Sequence, residues 1–436
     1  MIPVLYEIAD AAALRACSTN KFKSGSLTVS SVMPIDSEKA CLFPLLLSVL
    51  RRGTEKYPTL SDINKRLDYL FGTTFAIRTV TRGNCLIVGF CADLLDPAYL
   101  PDGGAEITDG VLELMAQILF HPLLDEDGLL LERYVESEKR MQRDTIRASK
   151  NNPRAYAAER CKSLLLEGEP GGISLYGSEE ETMAVTREEL TAFWRRWIGD
   201  LHLDCFYVGG EDPNTLCDKL RKTFGDRLAK TQRGEVPLCG KIRAGRDLRA
   251  EESMPVSQSQ LLIGLNFPAQ IGNDWDATAV VLNELLGNSP ISKLFVNVRE
   301  KLGLCYSCAS IYSAFFGNLL IACGIKAENR ERAEREILEQ VKSLAKGDFT
   351  DTELNAAKKS LENSYRQVED SPGGLENYYY GRALVGSKES LRDRREAFLR
   401  VSREDVVRLA STLTLDVTYF LEGTLAGGEE DCDDED

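Results

Sequence analysis

The sequence predicts an α+β protein of two homologous halves, each a mixed, largely antiparallel sheet with helices packed on one face. Three observations carry this. Strand-like and helix-like segments follow one another in the same order twice along the chain. Each half contains a hairpin of two apolar-rich runs joined at a Gly-centred turn, Arg82-Gly83-Asn84 in the first and Phe316-Gly317-Asn318 in the second. Strands precede and follow helices irregularly, which disfavours a doubly wound parallel sheet. At 436 residues the chain also exceeds one ordinary core, since domains cluster at ~100–200 residues.

The elements follow in order. Residues 20–33 read as a strand and 36–52 as an apolar helix. Residues 59–72 read as a second helix, capped by Thr59 or Ser61, with Ile63, Leu67 and Leu70 on one face. The first hairpin spans 73–94. A helix near 104–119 precedes a long charged helix from about 124 to 165, with Asn151-Asn152-Pro153 as a candidate break. A helix at 186–198 and a strand at 202–210 end the first half. In the second half, a strand at 256–267 is followed by helices at 273–287 and 290–301 and a hairpin at 305–325. Then come a helix at 328–346, a long helix from Thr350 to about 383, a helix at 402–412 and a strand ending at Gly423. The implied domains are 1–224 and 256–426, with 225–255 as a polar linker and 427–436 as an acidic tail.

Composition narrows the function. Apolar residues make up 43% and charged residues 28%, as in ordinary soluble domains. A net charge of −15 disfavours a nucleic-acid backbone or an anionic membrane as partner. The longest nearly unbroken apolar run, 41–50, is about half of the ~20 residues that a membrane-spanning helix needs. The first twenty residues lack a basic start and carry Glu7 and Asp10, which argues against a secretory signal. Twelve scattered cysteines, mostly in apolar runs, fit buried reduced thiols and a cytoplasmic location. Cys305-x-x-Cys308 lies in a strand-like run. Residues three apart on a regular strand point to opposite faces, so neither redox nor zinc use is expected of this pair.

Two histidines, His121 and His202, stand far apart, and neither has a second histidine four positions away. Both read as structural. Glu132, Glu136 and Glu138 read as the solvated face of the long helix. No Ser/His/Asp set, phosphate-binding Gly-rich loop or dinucleotide fingerprint is present.

Two stretches carry a family resemblance. GNSPISKLFVNVREKLGLCYSCAS, 287–310, resembles the second-half motif of the M16 (pitrilysin, mitochondrial-processing-peptidase-like) metallopeptidases. RRGTEKYPTLSDINKRLDYLFGTTFAIRT, 51–79, resembles the stretch that follows that family's zinc motif. The resemblance extends over nearly the whole chain. In active members the helix before Gly-Thr carries His-x-x-Glu-His, whose histidines at i and i+4 share a helix face and bind zinc while the Glu serves as general base. Counted back from Gly53-Thr54, those positions hold Pro44, Leu47 and Ser48. The third ligand, a Glu seven residues after the Glu of a Glu-Arg pair, corresponds here to Lys139, after Glu132-Arg133. All ligand positions and the base are replaced, so the resemblance implies no metal and no catalytic residue in this chain.

The resemblance also implies what is kept. An Arg and a Tyr of the second half, which help to hold substrate, match Arg299 and Tyr306. Arg299 can donate to a peptide carbonyl or carboxylate, and Tyr306 to the oxyanion formed during attack on a carbonyl. Half-size family members pair as clamshells. The chain is thus expected to be the non-catalytic subunit of a zinc peptidase, binding peptide and supplying Arg299 and Tyr306 in trans to a zinc-bearing catalytic M16 subunit. Zinc is expected only in that partner, and a heterodimer is favoured over a homodimer. The alternative is a structural or assembly scaffold with no part in proteolysis.

Overall fold

The computed structural model describes residues 2–36, 41–100, 106–231 and 236–425. The predicted acidic tail lies outside them. The fold is α+β with two mixed sheets, in two compact units. The first unit comprises residues 1–147, 173–238 and 366–390; the second comprises 148–172, 239–365 and 391–436. Each unit therefore includes one segment from the opposite half of the chain.

The first unit holds a six-stranded sheet: β1 (Val4–Ala9), β2 (Ala12–Ser18), β3 (Ser24–Pro34), β4 (Thr74–Arg82), β5 (Cys85–Leu95) and β6 (Leu203–Gly209), in the order β1-β2-β6-β3-β5-β4. Only β2 and β6 pair in parallel. The second unit holds a five-stranded sheet: β7 (Leu248–Met254), β8 (Ser259–Asn266), β9 (Cys305–Ser313), β10 (Asn318–Ile325) and β11 (Thr414–Gly423), in the order β7-β11-β8-β10-β9. Here only β7 and β11 are parallel. The series β2-β6-β3-β5-β4 and β7-β11-β8-β10-β9 match strand for strand in order and direction, as expected for two homologous halves. The hairpin turns lie where the sequence puts them, with Gly83 at φ 58° and Gly317 at φ 65°, a left-handed conformation that glycine tolerates without steric cost.

Three strands were not anticipated. β1 and β2 occupy the N-terminal stretch, and β7 lies inside the polar segment 225–255. β7 still carries the signal of a half-buried strand: its residues alternate between half-buried and exposed, with Leu248, Ala250 and Met254 on one face.

In the first unit the helices are α1 (Leu42–Leu50), α2 (Leu60–Tyr69), α3 (Glu106–Phe120) and the long α4 (Glu132–Ser149), followed by shorter helices including Arg187–Gly199 and Pro213–Phe224. Thr59 caps α2 in a reciprocal box with Asp62, and Ile63 and Leu67 are its buried face. Apolar residues of β3 and β5, among them Leu27, Val29, Val88 and Phe90, pack with α1 and α3 into one core.

The candidate break in the long helix is real. Asn152 accepts from the Ala155 N–H and Pro153 starts a new helix, α5 (Pro153–Leu165), which belongs to the second unit. Its residues Ala157, Cys161 and Leu165, spaced four apart, form one buried stripe against Leu262 of β8 and Val417, Tyr419 and Leu421 of β11. Gly264 makes room for it, since a Cβ there would come within 2.9 Å of Leu165. The other face of the same sheet, with Leu261, Ile263, Ile321 and Phe420, packs on the unit's remaining helices.

The counterpart in the first unit is the helix Pro372–Leu384. The continuous helix expected from Thr350 to about 383 is in fact two, Asp351–Gln367 and Pro372–Leu384. Pro372 has no N–H to continue the ladder, and Ser371 caps the second helix by accepting from the Gly374 N–H. This helix covers a polar face of β3. Glu376 accepts from Thr28 at 2.7 Å and pairs with Arg78, while the Ser30 and Tyr380 hydroxyls hydrogen bond at 3.2 Å. Tyr380 packs edge-on against Phe206 of β6. The Glu376 side chain is only 5% exposed, and Arg78 is the cation that faces it. Arg78→Ala is expected to cost about 3–5 kcal/mol, read as a lower urea midpoint; an unchanged midpoint would show the pair to be dispensable.

A helix pair without metal ligands

The stretch before Gly53-Thr54 is buried almost throughout. Within α1, Phe43, Pro44, Leu45, Leu46, Leu47, Val49 and Leu50 are all buried, and Ser48 is half-buried. A helix apolar on all sides is a core element. Pro44 is tolerated because it sits in the first turn, where its missing N–H has no intrahelical partner. Leu47 is fully buried in the core of the first unit. After the helix, Gly53 passes so close to Pro58 that a Cβ would lie 2.4 Å from its carbonyl oxygen. The Thr54 N–H donates to the Tyr57 carbonyl at 2.8 Å, and the Glu55 N–H to the His121 carbonyl at 2.9 Å.

Lys139 lies on α4 with its side chain 8% exposed, and its ammonium pairs with Glu136 at 2.8 Å. Glu138, expected on a solvated face, is instead buried and ion-paired with Arg52, the residue before Gly53. The helical face carrying Val135, Glu138, Lys139 and Gln142 is the buried one, and its charges were the misleading signal. Gln142 adds a second tie by donating to the Cys41 carbonyl at 3.3 Å. α1 and α4 are thus joined by an ion pair and an amide hydrogen bond.

These residues do not fit zinc. Proline and leucine side chains have no donor atom, and the Lys139 ammonium, already paired, offers only N–H donors and positive charge. The two histidines stand apart from these positions. His121 is near Glu55 at 3.5 Å, and His202 faces the carbonyls of Asp200 and Thr231 at 3.1 and 2.9 Å. No metal step is assigned to this helix pair.

In the second unit, the motif 287–310 builds a tight corner. Two π-helical segments, Glu284–Asn288 and Leu294–Lys301, lead into β9. Gly287 is required there, since a Cβ would sit 2.7 Å from the Ser310 nitrogen and from Leu294. Ser310 donates to Asn283 Oδ1 at 2.8 Å, locking the strand to the helix end. Arg299 stacks over the Phe295 ring at 4.7 Å and lies 3.6 Å from Glu300, with its side chain 41% exposed. Tyr306 is 59% exposed.

The pairing of β9 with β10 corrects one expectation. Ser307 pairs with Gly324 and Cys305 with Ile325, so Tyr306 is the extra residue of a β-bulge. The bulge resets the alternation, and Cys305 and Cys308 share a face instead of opposing one another. Cys323 lies directly across from Cys308. The three sulfurs are all within 4.8 Å of one another. The Cys308 and Cys323 thiols, hydrogen bonding to Cys305, pull its pKa down to about 4 against the opposing effect of burial, and the Arg299 charge assists. The same sharing, with burial, pushes Cys308 and Cys323 up. The register was legible from the turn at Gly317, which sets Cys308 opposite Cys323; the bulge was not.

Restoring one family residue tests the reading of α1. Leu47→Glu places an uncompensated carboxylate in a fully buried position. It is expected to destabilise the first unit by about 3–5 kcal/mol, read by chemical denaturation. Stability retained together with new zinc binding would overturn it.

Comparisons with known proteins agree with this geometry. A family model described as "Peptidase M16 inactive domain" matches residues 184–361. The chain is 29% identical over 410 residues to the "Probable inactive metalloprotease YmfF" of Bacillus subtilis, covering 93% of this chain and 94% of that protein. It is 24% identical to the "Uncharacterized zinc protease YmxG" of the same organism over 69% of this chain and 72% of that one. Among solved structures, a conserved protein from Enterococcus faecalis superposes with a TM-score of 0.88 at 22% identity, covering 98% of this chain and all of that one. A peptidase M16 inactive domain from Pseudomonas fluorescens superposes with a TM-score of 0.78 at 16% identity, covering 98% and 99%. At those identities the structural matches establish the fold. The family match over residues 184–361 and the likeness to YmfF over nearly the whole chain make this chain similar to M16-family proteins of the inactive type.

Proposed function

We propose that the chain is the non-catalytic subunit of an M16-type peptidase, which binds peptide and presents Arg299 and Tyr306 to the site of a catalytic partner. The observation that carries the reading is that both side chains remain available. Tyr306 is turned outward at a bulge, and Arg299, stacked on Phe295 and paired with the exposed Glu300 at 3.6 Å, keeps 41% of its side chain exposed. A purely structural role would not require an exposed arginine and an exposed tyrosine beside a tightly built corner.

The strand that bears Tyr306 supports peptide binding. β9 is an edge of its sheet, so one row of its backbone donors and acceptors has no strand partner among the described residues. An extended peptide can add to such an edge through main-chain hydrogen bonds, which are tolerant of sequence. Arg299 would then hold a peptide carbonyl or carboxylate, and the Tyr306 hydroxyl would donate to the carbonyl oxygen as negative charge develops on it. No helix among the described residues is long and apolar enough to cross a membrane.

The test is purification from the source organism with the intact mass of any complex. A companion bearing His-x-x-Glu-His and peptidase activity only in the pair are expected. Tyr306→Phe should then lower kcat by about 10²-fold, the scale of one lost oxyanion donor, while Arg299→Ala should chiefly raise KM. A homodimer or a larger assembly without peptidase activity, indifferent to both substitutions, would replace this reading with the scaffold one.

A further inference from the structure

We propose that Cys305, Cys308 and Cys323 form a three-thiolate site for a soft d10 metal ion, Cu(I) or Zn(II), at the root of the β9–β10 hairpin. The site is separate from the helix pair α1 and α4, and it does not depend on the peptidase reading. Three observations bring the sulfurs together. Cys308 and Cys323 are directly opposed across the antiparallel pair, the bulge at Tyr306 returns Cys305 to their face, and all three sulfurs lie within 4.8 Å of one another. Among the described residues, this is the one group of histidine, cysteine or acidic side chains close enough to share an ion.

The distances suit a metal. With metal–sulfur bonds of about 2.3 Å, a trigonal set places its sulfurs about 4 Å apart and a tetrahedral set slightly closer. Small side-chain rotations from the observed spacing reach either geometry. Thiolates select soft ions such as Cu(I) and Zn(II) over hard ones such as Mg(II). Cu(I) is satisfied by the three sulfurs alone. Zn(II) takes a fourth ligand, which solvent can supply on the half-buried Cys305 side, whereas Cys308 and Cys323 close the site from the core. Binding transfers no electrons; each thiol that becomes a ligand releases its proton to solvent as its sulfur–metal bond forms. The ion would fasten the first residue of β9 to β10 on either side of the bulge that turns Tyr306 outward.

The experiment uses the full chain, reduced and kept free of oxygen, loaded separately with Cu(I) from a competing chelator and with Zn(II), then desalted. One equivalent of one ion per chain is expected, with X-ray absorption showing three sulfur neighbours at about 2.3 Å. Cys305→Ser, at the half-buried position, should weaken retention by tenfold or more, and Cys305→Ala should do the same. X-ray absorption on the unaltered chain keeps the test decisive if Cys308→Ser or Cys323→Ser fails to fold. Loading with Cu(I) alone or with Zn(II) alone identifies the ion. Retention unchanged in both Cys305 variants, nitrogen or oxygen coordination, or no bound metal would each overturn the site. So would thiol counting that finds a Cys308–Cys323 disulfide in place of metal in the chain as isolated.

Discussion

The constraint on which both units depend is that their central strands are buried on both faces. A strand has two sides by geometry, and β8, with every residue from Ser259 to Asn266 buried, needs a packed layer on each. One layer comes from helices of the same half of the chain. The other is a single helix that arrives from the opposite half: α5 in the second unit, Pro372–Leu384 in the first. The matched strand orders place the two helices in equivalent roles, so the duplication includes the exchange itself. The chemistry of the contacts nevertheless diverged. α5 meets an apolar surface of Leu262, Val417 and Leu421, whereas Pro372–Leu384 meets serines, a threonine and an arginine. Apolar burial stabilises the first contact without directional requirements. The second depends on satisfying Glu376, so it is more specific and less tolerant of substitution.

The pair α1 and α4 is joined without an ion. Here Arg52–Glu138 and Gln142–Cys41 join them directly, and Leu47 fills core volume where a catalytic carboxylate would need solvent. A half-reverted site is therefore unfavourable in both respects. Glu at position 47 loses apolar packing and places a charge among Leu, Phe and Val side chains. Lys139, already paired with Glu136, keeps a positive charge where an incoming cation would have to sit.

Much of this was legible from residue patterns. The hairpin turns at Gly83 and Gly317, the capping box of α2 and the break at Pro153 follow from short-range backbone preferences, which act wherever the residues occur. Pro372 carried the same signal and was absorbed into an apparently continuous helix, because the apolar and charged spacing runs across it. β7 was hidden by its charged residues: Arg249 and Glu251 lie on the exposed face of an edge strand, and Glu252, on the half-buried face, is held by Tyr156 and Arg160. Glu138 was unreadable for the opposite reason, since burial of a carboxylate depends on a partner 86 positions away in the chain. Arg299 and Tyr306 stood out through their motif, but their exposure is a tertiary property.

The bulge in β9 joins these threads. A regular strand would alternate Cys305 inward, Tyr306 outward, Ser307 inward and Cys308 outward, leaving one thiol buried and its neighbour on the solvent face. By inserting one residue, the strand keeps Tyr306 outward and returns Cys308 to the core face. The local ladder gives up one regular pairing in exchange for an outward tyrosine directly over an inward cluster of three thiols. Nothing in the composition of CYSC demands this. Gly287, whose missing side chain lets Ser310 approach the helix end, and the turn at Gly317 hold the regular part of the hairpin, with Cys323 opposite Cys308. The ladder runs regularly from the turn through Ser310 to Ser307, and the surplus residue falls just beyond it, at Tyr306, before Cys305 pairs with Ile325. The outward position of that tyrosine and the gathering of the thiols beneath it are consequently one structural event.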